Sequence, residues 1–292
     1  MTDATGSVLC FGEILWDFLP DAAYPGGAPF NVAYHLHHLG RRALVISAVG
    51  RDVLGDELIR RLHAWGLALD GLTRHLDRPT GYVRAALGPQ GDARYEISAD
   101  GAWDRIGLTD EALRATATTP AVVFGSLAQR SPTNQRELDR LLTLAPGDAW
   151  RVFDVNLRPP HDDLDRVRAL ARRATVLKLN AEEAARLAGP PGGEEAWART
   201  LAAQTGCALI CITAGARGAG LLHAGRWHWE PGRPVRVVDT VGAGDAFLAA
   251  LVSALLVERM SGGEVLARAC RLGEWVASRR GATPPYDSSA PI

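Results

Sequence analysis

Lysine is almost missing from this chain: of its 32 basic side chains only Lys178 is a lysine, so nearly every cation is a guanidinium fork. A Walker A loop ends in Gly-Lys-Ser/Thr, and Lys178 stands between Leu177 and Leu179, which excludes a P-loop phosphotransferase. Cysteine is also scarce. Cys10, Cys207, Cys211 and Cys270 have no Cys-x-x-Cys spacing, which argues against a zinc ribbon or a disulfide framework and for buried free thiols in a reducing compartment. The longest apolar tract, residues 246–257, is too short to span a bilayer. No secretory pattern precedes the first strand candidate, so a soluble, cytoplasmic protein is expected. A net charge of −1 gives no basis for nucleic-acid binding.

What is present is enough apolar content, 47% of 292 residues, to bury a full core in one large α/β domain or two small ones. From residue 120 onward apolar strands alternate with helical stretches. Each strand ends in polar residues: Ala121–Phe124 before Ser126, Val152–Phe153 before Asp154 and Asn156, Val176–Leu179 before Asn180, and Leu209–Ile212 before Thr213. That pattern implies an α/β fold with a doubly wound, mostly parallel sheet flanked by helices, its ligands at the C-terminal strand ends. Upstream, Ser7–Leu15 reads as a strand, Ala43–Val49 as another, and Val53–Trp65 as an amphipathic helix closed by Gly66. The runs 80–87 and 93–98 around Gly88-Pro89-Gln90-Gly91-Asp92 read as a β-hairpin outside the main sheet. His35, His37 and His38 crowd one helix without a cysteine or carboxylate at ligand spacing, so a solvated or core-edge role is expected rather than a metal site.

The densest signal is Asp239-Thr240-Val241-Gly242-Ala243-Gly244-Asp245-Ala246-Phe247. Gly242, Ala243 and Gly244 can bring backbone N–H groups against an anion at a helix start, where the first donors have no internal partner. Asp245 would repel a passively bound phosphate there. It makes chemical sense as a base that takes a proton from a hydroxyl while the amides stabilise a transferring phosphoryl group.

This nonapeptide resembles the C-terminal signature of the ribokinase (phosphofructokinase B) family of carbohydrate kinases. The resemblance implies that Asp245 is the catalytic base, that residues 242–244 form the anion hole, and that residues 1–292 are one ribokinase-like domain with a small β-lid from segments 15–27 and 80–98. The upstream Gly26-Gly27-Ala28-Pro29-Phe30-Asn31-Val32-Ala33 is similar to the segment that closes on the sugar, which makes Asp17, Gly26, Gly27 and Asn31 sugar ligands, with Tyr82, Arg94 and Tyr95 as further contacts from the lid. On the same resemblance Asn156 and Arg158 lie near the transferring group. Asn180 and Glu183 form an Asn-x-x-Glu motif whose glutamate holds magnesium through water. Thr213, Gly215, Arg217 and Gly218 form a nucleotide loop, and Ala277 and Gly281 border the adenine. ATP and Mg²⁺ are thereby implied, with a monovalent cation such as K⁺ near Asp239 and a homodimer contact through the lid. Residues 100–104, 125–130 and 153–159 are most similar to fructokinases, which implies phosphorylation of fructose at its 6-hydroxyl. 2-Keto-3-deoxygluconate kinases share several of these segments, and ribokinases and nucleoside kinases belong to the same family. A sugar sensor of this fold would have no use for Asp245, Arg158 and Glu183 together.

Overall fold

The computed structural model describes residues 6–19, 22–87, 93–190, 192–256 and 261–292, with backbone alone at 85–87 and 93–95. In chain order the elements are β1 (Val8–Phe11), β2 (Leu15–Phe18), β3 (Ala23–Gly26), α1 (Ala28–His38), β4 (Ala43–Gly50), α2 (Val53–Ala64), β5 (Leu72–His75), β6 (Gly81–Leu87) and β7 (Ala93–Ile97). Then follow α3 (Asp110–Thr116), β8 (Ala121–Gly125), α4 (Pro132–Leu144), β9 (Trp150–Asp154), α5 (Leu164–Ala171), β10 (Val176–Asn180), α6 (Ala181–Ala188) and α7 (Glu194–Thr205). The chain closes with β11 (Leu209–Thr213), β12 (Gly218–His223), β13 (Arg226–Pro231), α8 (Ala243–Leu255) and α9 (Gly262–Ala277).

Nine strands form the main sheet in the order β13-β12-β11-β10-β9-β8-β1-β4-β5. The seven strands β11-β10-β9-β8-β1-β4-β5 pair in parallel, while β12 pairs antiparallel with both β11 and β13. Strand alternation sorts the apolar side chains onto two faces. Val8, Cys10, Val45, Val123, Val152 and Val176 join α1, α2, α8 and α9 in one core, while Leu9, Phe11, Phe124, Phe153, Leu177 and Ile210 join α3 to α7 in the other. A parallel sheet covered on both faces needs strands apolar at nearly every position, which is why these runs read as continuous hydrophobic tracts.

The second sheet, β3-β2-β6-β7, is small. β2 pairs antiparallel with β3 and parallel with β6, and β6 with β7 makes the expected hairpin. The single strand expected over Ser7–Leu15 is therefore two strands in two sheets: the chain leaves the main sheet after Phe11 and joins the second at Leu15. Both flanks are apolar and buried, so hydrophobicity alone could not mark the break.

Two polar nodes tie the second sheet and α1 to the body. Arg130 forks onto Asp104 at 2.7 Å through both Nε and Nη2, donates to the Ser98 carbonyl at the end of β7 and meets His161 Nε2 at 3.0 Å. It also lies 4.1 Å above the fully buried Trp103 ring. His35 is the second node and corrects the expectation of a solvated or core-edge histidine: it is fully buried. Nε2 donates to the Ala282 carbonyl at 2.9 Å, which leaves Nδ1 to accept from the Tyr286 hydroxyl at 2.8 Å. Burial pushes this imidazole down to about 4, so it stays neutral.

Candidate active site

A cavity of about 630 Å³ opens where the C-terminal ends of β9 and β10, the start of α8, the start of α1 and the inner face of the second sheet meet. This is the crevice where doubly wound sheets hold ligands. Gly242 turns into α8 with φ 76°, and a Cβ there would collide with the Ala282 backbone, so only glycine permits the turn. The helix start has no side-chain cap, which leaves it open to an anion. Asp239 fixes the approach, accepting from the Val241 N–H at 3.0 Å and the Gly281 N–H at 3.1 Å.

Asp245 is buried in the first turn of α8 and faces the cavity. Its Oδ2 accepts a 2.8 Å hydrogen bond from Asn31 Nδ2, so the amide expected to read the sugar also orients this carboxylate. Burial, then the nearby Asp154, raises Asp245 to about 6, opposed by Lys178, Asn31 and Arg158. Asp17 on β2 lies against Gly26 so closely that a Cβ on Gly26 would strike Oδ2. Burial and Asp245 raise Asp17 to about 6 as well.

Among the other expected residues, Gly27, Asn156, Arg158, Gly244 and Gly281 also line the cavity. Asn156 holds φ 41°, a left-handed conformation that asparagine tolerates, where the chain bends beneath the cavity. Arg158 is exposed and donates to its neighbour's carbonyl at 3.1 Å, while Asp162 and Asp163 pair instead with Arg186 and Arg166. Glu183 is buried with both oxygens in use. Oε1 accepts from the Leu157 N–H at 2.7 Å and Oε2 from the Asn180 N–H at 2.9 Å, while Asn180 caps α6 in return. The carboxylate thus ties the loop of Asn156 and Arg158 to β10. Ala243 lies between Gly242 and Gly244 in the helix start. Thr213, Gly215, Arg217 and Gly218 form the next strand end along the sheet, with Arg217 paired to Glu194 at 2.5 Å, outside this cavity's lining. Ala277 accepts the Val238 and Asp239 N–H groups at the end of α9.

On the second sheet Leu15, Val83 and Ile97 face the cavity, so alternation turns Tyr82 the other way, edge-on to Phe18 at 6.0 Å. This placement corrects the expectation of a sugar contact from Tyr82. The side chains of Arg94 and Tyr95 lie outside the described residues.

Sequence reasoning missed two features. Glu13 is buried in the cavity wall; Oε1 accepts the Ala28 N–H at 3.2 Å, Oε2 has no hydrogen-bond partner among the described residues, and burial raises the acid to about 7. Lys178, which the sequence offers only as an argument against a P-loop, also lines the cavity, with Nζ 3.0 and 3.1 Å from the two oxygens of Asp154. The available signal was a charged residue within or just after an apolar strand: Lys178 inside β10, Asp154 at the end of β9 and Glu13 two residues past β1.

Fold and site together define a phosphotransferase that uses an alcohol group as acceptor. The chain belongs to the pfkB family of carbohydrate kinases, whose model matches residues 21–289. It is 28% identical to a fructokinase of Solanum tuberosum over 311 residues, covering 98% of this chain and 95% of the relative. It is 29% identical to a fructokinase of Klebsiella pneumoniae, covering 86% of this chain and 84% of the relative. Among solved structures, an uncharacterised sugar kinase from Pyrococcus horikoshii superposes with a TM-score of 0.81 at 24% identity, covering 94% of this chain and 93% of the other. A fructokinase with bound ATP from Xylella fastidiosa gives the same score and identity, covering 95% and 94%.

Proposed function

We propose that this sugar kinase transfers the γ-phosphoryl group of ATP to a primary hydroxyl of its sugar, the 6-hydroxyl of fructose. The observation that carries the reading is Asp245: a buried carboxylate at an uncapped helix start, oriented by Asn31 and flanked by two cationic side chains. Asp245 accepts the hydroxyl proton as the sugar oxygen bonds to phosphorus and the bond to the β,γ-bridging oxygen breaks, its electron pair leaving with ADP. The amides at residues 242–244 and the Arg158 guanidinium face the charge on the phosphoryl oxygens. Asp17, Gly26, Gly27 and Asn31 bind the sugar, and closure of the second sheet as a lid excludes water.

The fit of this site to a nucleotide rests on the open helix start, Lys178 and Arg158. Among the described residues no three His, Cys, Asp or Glu side chains gather as a metal site. Glu183, each oxygen already holding one N–H, would reach Mg²⁺ through water, and such an ion when bound neutralises phosphate charge. Asn156, Asn180, Thr213, Gly215, Arg217, Gly218, Ala277 and Gly281 would take the rest of the nucleotide. A K⁺ beside Asp239, a homodimer through the lid and a cytoplasmic location complete the reading; the four free, buried cysteines suit a reducing compartment. No helix among the described residues is long and apolar enough to cross a membrane.

Fructose is chosen because the relatives named above are fructokinases and carry over nearly the whole chain. The test is ADP release from ATP with and without fructose, ribose, 2-keto-3-deoxygluconate, fructose 1-phosphate or adenosine. Fructose should give the highest kcat/KM; a higher value for another acceptor reassigns the substrate, and sugar-independent release contradicts the kinase reading.

A further inference from the structure

The only lysine of the chain lines the cavity beside Asp245, and the reading above gives it no step in the transfer. Lys178 lies opposite Asp154 in the parallel register of β10 and β9, and both side chains fall on the sheet face that packs against α8. Both are buried, Lys178 with 7% of its surface exposed and Asp154 with 3%. The ammonium lies directly beneath the helix start, since a Cβ on Gly244 would come within 3.1 Å of Nζ. A buried ion pair is weak evidence for stability, because the loss of hydration offsets the attraction between its partners. The one lysine stands there in a chain that uses arginine elsewhere, and an ammonium supplies a compact point charge rather than a planar fork.

We propose that Lys178, clamped by Asp154, is a positioning residue for the transfer: its ammonium holds Asp245 as the carboxylate and faces the phosphoryl oxygens from beneath the helix start. The inference rests on Asp245 as the base. The groups around that carboxylate are Asp154 from β9, Lys178 from β10, Arg158 from the loop beyond β9 and Asn31 from α1, with Glu13 and Asp17 approaching from the second sheet's side. Lys178 is itself acted on by burial, which opposes its charge, and by Asp154, Asp245 and Glu183, which together hold it above its ordinary range. It therefore stays charged at any pH at which Asp245 works. Lys178 lowers the pKa of Asp245 and Asp154 raises it, so the two members of the pair act in opposite senses.

A single lysine permits a test that needs no assignment. Protein grown with lysine carrying ¹³C at Cε gives one such signal. It should shift when ADP or a non-hydrolysable ATP analogue is added, and again in ligand-free Asp245→Asn; a signal indifferent to both overturns the inference. In kinetics, Lys178→Met should lower turnover about a hundredfold and move the acid limb of kcat to higher pH, with partial recovery in Lys178→Arg. Asp154→Asn should move that limb to lower pH. A folded Lys178→Met or Asp154→Asn with an unmoved limb assigns the pair a structural role and overturns the inference, and if neither variant folds the labelled wild type decides. Undiminished turnover in Asp245→Asn overturns the assignment of the base, whereas a lysine signal indifferent both to nucleotide and to Asp245→Asn overturns this inference alone.

Discussion

The start of α8 and the second sheet face each other across one cavity and are built on opposite plans. The helix start is nine consecutive residues whose carboxylate is buried, whose glycine turn is locked against Ala282, and whose following helix packs into the main core. The second sheet assembles its face from β2 and β6–β7, far apart in sequence, and presents Leu15, Val83 and Ile97 around one carboxylate, Asp17. A rigid wall suits charge stabilisation, which depends on dipoles that need not reorganise during transfer. A separate small sheet, tied to the body by nodes such as Arg130, suits the proposed lid, which would open for the sugar and close over it.

If the helix start does the chemistry, the largest effect belongs to Asp245→Asn. The variant keeps size and helix-start compatibility, so turnover should fall by ~10² to ~10⁴ while the nucleotide dissociation constant stays nearly constant. Near-normal turnover with unchanged folding would sink the assignment. Arg158→Lys retains charge but loses the planar fork, so kcat should drop roughly tenfold with little change in sugar KM. A sharp rise in sugar KM at constant turnover would move Arg158 to the sugar side of the comparison.

A smaller effect concerns stability on the second sheet's side. Burial raises Glu13 from 4.5 to about 7 in the folded protein, so its ionisation opposes folding, and that cost develops as pH rises from about 4.5 through 7. Glu13→Gln keeps the acceptor for Ala28 and cannot ionise. It should be more stable than wild type at pH 8, by on the order of 2 kcal/mol, and equal to it at pH 4. Denaturant unfolding at the two pH values checks this, and an equal difference at both would show that Glu13 is not held protonated by its site.

The two regions also differed in how far the sequence alone disclosed them. Asp239–Phe247 was legible because its parts are contiguous and each residue type has a local reason to be there. Glycine makes the turn, small residues allow close approach, and the acid sits one turn into an apolar helix. The doubly wound sheet was legible from runs such as Val176–Leu179, because strands buried on both faces must be apolar throughout. Glu13 and the Lys178–Asp154 pair were not, since each depends on which strands become neighbours: Lys178 meets Asp154 only through the β9–β10 register. The turn of Tyr82 away from the cavity likewise follows from which face of β6 meets the body. Asn31 appeared as a sugar ligand, but its bond to Asp245 joins residues 214 positions apart and is tertiary information.

The division between the two regions is tested most directly by both Michaelis constants of Asp17→Ala, measured together with its melting temperature. Removing a carboxylate that bonds a buried hydroxyl leaves the partner unpaired, at about 1.5 to 3 kcal/mol, so sugar KM should rise by roughly one to two orders of magnitude. ATP KM and the melting temperature should change little. An unchanged sugar KM, with a lowered melting temperature instead, would remove Asp17 from the site and contradict the account of the second sheet as the sugar-reading wall.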